Sequence, residues 1–221
     1  MTQIKAILFD MDGVLIDARE WHYQSLNKAL QLFGKAISRQ DHLDNFDGLP
    51  TRKKLEQLSN NRGLPHELHE FVNDLKQKHT FHIVTEHCHP NFRHEYALSK
   101  LKSEGYKLAL CSNSIRRSVN LMMELSNLSQ YFDATLSNED VTHPKPDPQI
   151  YQLAMKKLGV SADQCLIVED NDNGVKAATG AGGFLLRVQS PQDTTYDAIK
   201  RAIKNVEAHR TKKDEKSNGW H

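Results

Sequence analysis

The sequence predicts an α/β protein: a mostly parallel sheet wrapped by helices, with an α-helical insert between its first two strands. Short apolar runs recur along the chain, each followed by a polar turn and a helical pattern. Nearly a hundred residues separate the first run from the second, and helical patterns fill most of that gap. Carboxylates, hydroxyls and a lysine gather just beyond the runs, where an open α/β sheet binds its ligands.

The first run, Ala6-Ile7-Leu8-Phe9, reads as a buried strand that stops on Asp10, with Asp12 and Gly13 close behind. The insert is expected over 18–86, entered near Asp17 and left between Glu86 and Pro90. It holds three helical patterns. "EWHYQSLNKALQLFG" is closed by Gly34. "TRKKLEQLSNNRG" is opened by Thr51 as N-cap and closed by Gly63. "PHELHEFVNDLKQKH" carries Pro65 in its first turn. Only "FHIV" (81–84) offers a strand signal there. The later strands are "KLALC" (107–111), "ATLS" (134–137), "CLIV" (165–168) and "FLLRV" (184–188). The core is thus expected to comprise 1–17 and 87–207, with 208–221 a polar, aperiodic and disordered tail.

A formal net charge of +1 gives no electrostatic footprint for nucleic acid and no polybasic membrane patch. A small molecule is the expected partner, and the chain is expected to be a monomer or weak dimer. Cys88, Cys111 and Cys165 lack CxxC spacing and read as buried free thiols of a reducing compartment. No run reaches membrane-spanning length, and the first apolar run is cut at Asp10, so a soluble, cytoplasmic protein is expected.

The residues beyond the runs suggest a chemistry. Asp10 and Asp12 follow the first, Ser112, Asn113 and Ser114 the second, Lys145 the third, and Glu169 with Asp170 the fourth. Clustered carboxylates raise one another's pKa or demand a cation, and an all-oxygen set suits Mg²⁺. Lys145 and the Ser112 hydroxyl are then left to hold anionic oxygens, helped by helix N-termini near Ser114 and Asn173. This is the equipment of phosphoryl transfer. Asp10 is the expected nucleophile, and Asp12 the acid that protonates the leaving alcohol and then the base that activates water. Gly13 allows the sharp exit from the strand. Asp-Gly is also an ordinary turn signal, and the three further motifs decide between the two readings.

In order along the chain, "DMDGV" (10–14), Ser112 in "CSNS", Lys145 in "PKPDP" and "EDNDNG" (169–174) resemble the four motifs of the haloacid dehalogenase superfamily. The resemblance spans about Ile4 to Val188 and implies a Rossmann-like core with a helical cap. It implies phosphate binding by Ser112, Asn113 and Lys145. It implies Mg²⁺ held by Asp10, Asp170 and the carbonyl of Asp12, with Glu169 beside it. The chain looks closest to the branch of sugar-phosphate phosphatases and β-phosphoglucomutase, whose cap loop matches "FDGLPTRKK" (46–54). That branch implies substrate contacts by Gly48, Arg52, His22 and Lys78.

The expected activity is therefore a Mg²⁺-dependent phosphatase acting on a small phosphorylated metabolite, most directly a sugar phosphate. A phosphomutase is the alternative, and Ala18, where the mutase has threonine, counts against it. A binding module on an inactive scaffold is a third reading, disfavoured because Asp10, Asp12, Lys145 and Asp170 are all present. Asp147 before Pro148, and Asp172 and Asn173, read as helix caps. The histidine-rich stretch 79–94 has no repeated ligand spacing, and a metal there is not expected.

Overall fold

The computed structural model describes the backbone of residues 3–217 and the side chains of residues 3–209. Five parallel strands form one sheet: β1 (Ala6–Phe9), β2 (Lys107–Cys111), β3 (Ala134–Leu136), β4 (Cys165–Glu169) and β5 (Phe184–Arg187). Their order is β3-β2-β1-β4-β5. β1 is central, with Phe9 opposite Leu110 on one side and Val168 on the other. The chain winds outward from β1 to β3, then returns to lay β4 beside β1. That reversal opens a crevice at the carboxyl end of β1 and β4.

The three inner strands β2, β1 and β4 read as unbroken apolar runs because both sheet faces are covered there. Alternation divides their side chains. Ile7, Phe9, Leu110 and Val168 face a cluster with Leu98, Met122 and Ile199. These come from helices α5 (Phe92–Ser103), α6 (Arg116–Leu125) and α9 (Tyr196–Ser217). Leu8, Ala109 and Ile167 face Tyr151, Ala154 and Ala178. These belong to α7 (Gln149–Leu158) and α8 (Asp172–Ala181).

Between β1 and α5 lie four helices: α1 (Arg19–Gln31), α2 (Arg39–Asn45), α3 (Thr51–Arg62) and α4 (His69–His87). They enclose an apolar cluster of their own, built on Leu26, Leu30, Phe46, Leu55, Leu58 and Val72. α4 is the return leg, and Val84 and Cys88 at its end join the sheet's core.

Several local expectations change. "FHIV" is helical, inside α4. Its β-branched residues favour a strand, but Val72, Lys76, Thr80 and Val84 bury one helical stripe at i, i+4 spacing, and packing overrides propensity. α2 carries no strong periodicity and is not evident in the sequence; the Ser38 side chain caps it by accepting the Asp41 N–H. Thr51 starts α3 after Pro50 and makes no side-chain cap. Asn171, not Asp172 or Asn173, caps α8. Asp147 does accept the Gln149 N–H at the start of α7. α9 continues to Ser217, so 208–217 is helical where the sequence suggests an aperiodic tail. Its Lys, Arg, Glu and Ala are good helix formers, and no glycine or proline interrupts them. Residues 218–221 of that tail lie outside the described residues. Among the described residues no helix is long and apolar enough to cross a membrane.

Candidate active site

Asp10 follows β1, Ser112 follows β2, and Glu169 ends β4 with Asp170 after it. Lys145, from the loop before α7, reaches into this crevice and is only 3% exposed. Its Nζ donates to Asp10 Oδ1 at 2.7 Å, Glu169 Oε1 at 2.6 Å and the Cys111 carbonyl at 2.8 Å. Three acceptors satisfy the ammonium. Burial pushes it down, but Asp10 and Glu169 outweigh that and hold its pKa above the ordinary lysine value. Tyr151, on α7, donates to the same Glu169 oxygen, fixing that carboxylate from behind.

Burial pushes the Asp10 carboxyl well above its usual range; Lys145 opposes the rise, while Glu169, Asp170 and Asp12 add to it. Asp12 differs. Burial raises it too, but His22, the Ser114 hydroxyl and Lys76 outweigh burial and bring it below the usual value. Ser114 Oγ donates to Asp12 Oδ2 at 2.8 Å. His22 Nε2 stands 3.3 Å from the same oxygen. Asp12 Oδ1 is buried with no partner among the described residues.

Asp10, Glu169 and Asp170 each offer an oxygen within 4.8 Å of the others. The Asp12 side chain is not in that group. Lys145 and the Arg19 guanidinium, 2.7 Å from Asp170 Oδ2, leave the three carboxylates one positive charge short. A buried, oxygen-only, electron-rich donor set fits a hard divalent cation. Glu169 is already engaged through both oxygens, by Lys145 and Tyr151 on one and the Asp170 N–H on the other. Asp170 likewise accepts from Arg19 on Oδ2 and from Asn171 on Oδ1, so Asp10, held through Oδ1 alone, is the freest ligand of the three.

Two glycines let these carboxylates sit where they do. Gly13 has φ +89, and a Cβ there would lie 2.0 Å from Asp170 Oδ2. A Cβ on Gly174 would lie 1.9 Å from the Glu169 carboxyl group. Gly174→Ala is expected to displace Glu169 or the start of α8 and to destabilise by about 1–3 kcal/mol. Urea denaturation checks this, and an unchanged midpoint would show that the helix yields without strain.

The family model for haloacid dehalogenase-like hydrolases matches residues 7–188, from β1 to just past β5. The chain belongs to this family. Among relatives of this haloacid dehalogenase-like hydrolase is pyrophosphatase PpaX of Bacillus velezensis, 32% identical over 190 residues that cover 81% of each chain. Another is a phosphorylated carbohydrates phosphatase of Thermotoga maritima, 30% identical over 182 residues, 81% of this chain and 82% of that one. The crystal structure of β-phosphoglucomutase from Clostridium difficile superposes with a TM-score of 0.81, covering 93% of this chain and 100% of that one. At 22% identity it shows the shared fold.

In the hydrolase, the sequence-derived residues separate into groups. Asp10, Asp12, His22, Gly48, Asn113, Lys145 and Asp170 line one cavity of about 460 Å³ between the strand ends and the insert. Glu169 lies behind it, fully buried. Ser112 is also fully buried, and its Oγ accepts the Ser114 N–H. Asn113 clamps the insert to the core: its Nδ2 donates to the Gly48 and Lys145 carbonyls, and its Oδ1 accepts the Lys145 N–H. Arg52 stands at the mouth, its side chain 89% exposed beside Glu56. Lys78 is a correction: it is exposed on α4, while Lys76, two residues earlier, is buried and lines the cavity.

Sequence reasoning missed Arg19, Lys54, Lys76 and the cavity-facing role of Ser114. Arg19 opens α1 and joins Asp170 to Asp47 of the insert loop, at 2.7 and 3.2 Å. No motif marks it. Lys54 and Lys76 had a signal: each falls on the apolar stripe of its helix, with Leu58 and with Val72 and Thr80, where a lysine is out of place. The three cysteines are buried, and burial pushes Cys88 up to about 11, which suits inert thiols.

Proposed function

We propose that this hydrolase is a Mg²⁺-dependent phosphatase of small phosphomonoesters, sugar phosphates foremost, working through an aspartyl-phosphate on Asp10. One observation carries the reading: Lys145 holds Asp10 by Oδ1 alone, so that Oδ2 is left for attack at a cavity that Asp12 also lines. The relatives named above act on phosphorylated compounds, which supports the same conclusion.

The phosphoryl group enters over Asp10, where Lys145 and the Ser114 side of the cavity meet its oxygens. Asp10 Oδ2 attacks phosphorus, and the bond to the leaving oxygen breaks. Asp12 is ionised in the empty site, and an arriving phosphate dianion raises its pKa by like-charge repulsion, so that it binds the proton the leaving oxygen needs. The partnerless Oδ1 is the oxygen that carries this proton. Asp12 then accepts a proton from the water that cleaves the acyl phosphate, regenerating Asp10. Asp10 and Asp170 would hold Mg²⁺, which supplies charge neutralisation at the phosphoryl oxygens. Arg19 ties the insert loop to Asp170 and so keeps the insert over the site while bulk water is excluded.

The test is phosphate release from a panel of phosphomonoesters, before and after chelation and Mg²⁺ replacement. Release that chelation abolishes and Mg²⁺ restores is the expected outcome. Silence across the panel, together with conversion of a phosphosugar when a bisphosphate primer is added, would replace the phosphatase by the mutase.

A further inference from the structure

We infer that Arg19 is a further catalytic residue of this hydrolase, its guanidinium donating to the oxygens of the phosphoryl group that reacts at Asp10. This deepens the phosphatase reading and rests on it. The side chains that the motifs assign to the phosphoryl group have their donors committed elsewhere. Lys145 carries three N–H groups, and Asp10, Glu169 and the Cys111 carbonyl accept all three. Asn113 Nδ2 carries two, and the Gly48 and Lys145 carbonyls accept both. Ser112 is fully buried and does not line the cavity. The Ser114 hydroxyl lines it, but its hydrogen goes to Asp12. Lys145 thus lends the incoming group its charge, and the hydrogen bonds must come from another cation.

Arg19 is placed to supply them. It lines the same cavity as Asp10, Asp12 and Lys145, and its side chain is 38% exposed there. Its Nη2 donates to Asp170 Oδ2 at 2.7 Å, and its Nε stands 3.2 Å from Asp47 Oδ2. Asp170 in turn offers an oxygen within 4.8 Å of one on Asp10. The guanidinium is therefore fixed one carboxylate away from the nucleophile. Its two partners engage Nε and Nη2, and among the described residues Nη1 makes no hydrogen bond. A guanidinium carries five N–H groups, so most of its donors remain for phosphate oxygens, which its planar fork suits. The two acidic partners hold it in place before the substrate arrives. A cation positioned in advance stabilises the charge that develops on the phosphoryl oxygens without reorganising during the reaction. Arginine also stays charged at every working pH, so this contribution does not depend on the protonation of Asp12.

Phosphate release from the best ester of the panel is measured at saturating Mg²⁺ for wild type, Arg19→Gln, Arg19→Lys and Asp47→Asn, with melting temperatures to check the fold. Glutamine keeps a donor for Asp170 but has neither the charge nor Nη1. Arg19→Gln is expected to lower kcat by roughly 100- to 1,000-fold, the effect of removing a positioned donor from the reacting group. Arg19→Lys, charged but without the fork, is expected to lose roughly tenfold. Asp47→Asn leaves the guanidinium where it is, and its amide oxygen still accepts from Nε, so it is expected to lose less than about tenfold. A second readout is titration calorimetry with inorganic phosphate, whose binding Arg19→Gln is expected to weaken by roughly 10- to 100-fold. Two results overturn the assignment: Arg19→Gln with the kcat of wild type, or Asp47→Asn falling as far as Arg19→Gln, which would mean that Arg19 acts through the insert loop. Where Arg19→Gln melts too low to assay, Arg19→Lys decides, and full activity in it overturns the assignment. If no ester of any kind releases phosphate, the phosphatase reading fails separately. Calorimetry then decides, with Arg19-dependent binding of inorganic phosphate expected and equal or absent binding overturning the inference.

Discussion

Lys145→Met is expected to destabilise the protein by about 3–5 kcal/mol, because it leaves two buried carboxylates without their cation. Lys145 is the shared partner of Asp10 and Glu169, and both are buried beside it. Methionine fills the same space but donates nothing, so Glu169 keeps only Tyr151 and the Asp170 N–H, and Asp10 loses its ammonium. Urea denaturation in metal-free buffer measures this as a lower midpoint at unchanged slope. Adding Glu169→Gln to Lys145→Met removes one of the stranded charges and is expected to restore part of the loss. A midpoint unmoved by Lys145→Met would mean that the carboxylates protonate or hydrate at little cost. The ion triad would then not be a structural element.

Asp10→Asn is expected to lower phosphate release by at least about a thousandfold, since it removes the nucleophile itself and no neighbouring group can replace it. The fold is expected to survive. The asparagine oxygen can still accept from Lys145, and the cluster of Asp10, Glu169 and Asp170 loses one mutually repelling charge. A melting temperature at or above that of wild type, with activity gone, separates a chemical role from a structural one. Retention of more than a tenth of the activity would exclude an aspartyl-phosphate on this residue.

The sheet was legible because its inner strands are covered on both faces: "AILF", "KLALC" and "CLIV" had to be continuous apolar runs. The strand-end residues Asp10, Asp12 and Asp170 were legible for a related reason, as charges placed just after such runs, whereas Lys145, in the loop between β3 and α7, was legible only through its "PKPDP" motif. The insert was less so. Lys78 and Lys76 are two residues apart on one helix, and the i, i+4 stripe of Val72, Thr80 and Val84 is what turns Lys76 inward and leaves Lys78 exposed. Arg19 looks in the sequence like any first-turn residue. Its function depends on Asp170, 151 positions away, and on Asp47, a pairing that no local pattern encodes.

The insert's apolar cluster, built on Leu26, Leu55 and Leu58 among others, shares no residue with the two clusters that flank the sheet. Drift in the insert can therefore be tolerated without unsettling the strands that aim Asp10 and Lys145. For protein engineering, this marks out a small library: positions 52, 54 and 77 can be randomised together to search for new leaving groups, while the reactive machinery stays fixed. Natural divergence can follow the same route, changing what the enzyme recognises far faster than how it reacts.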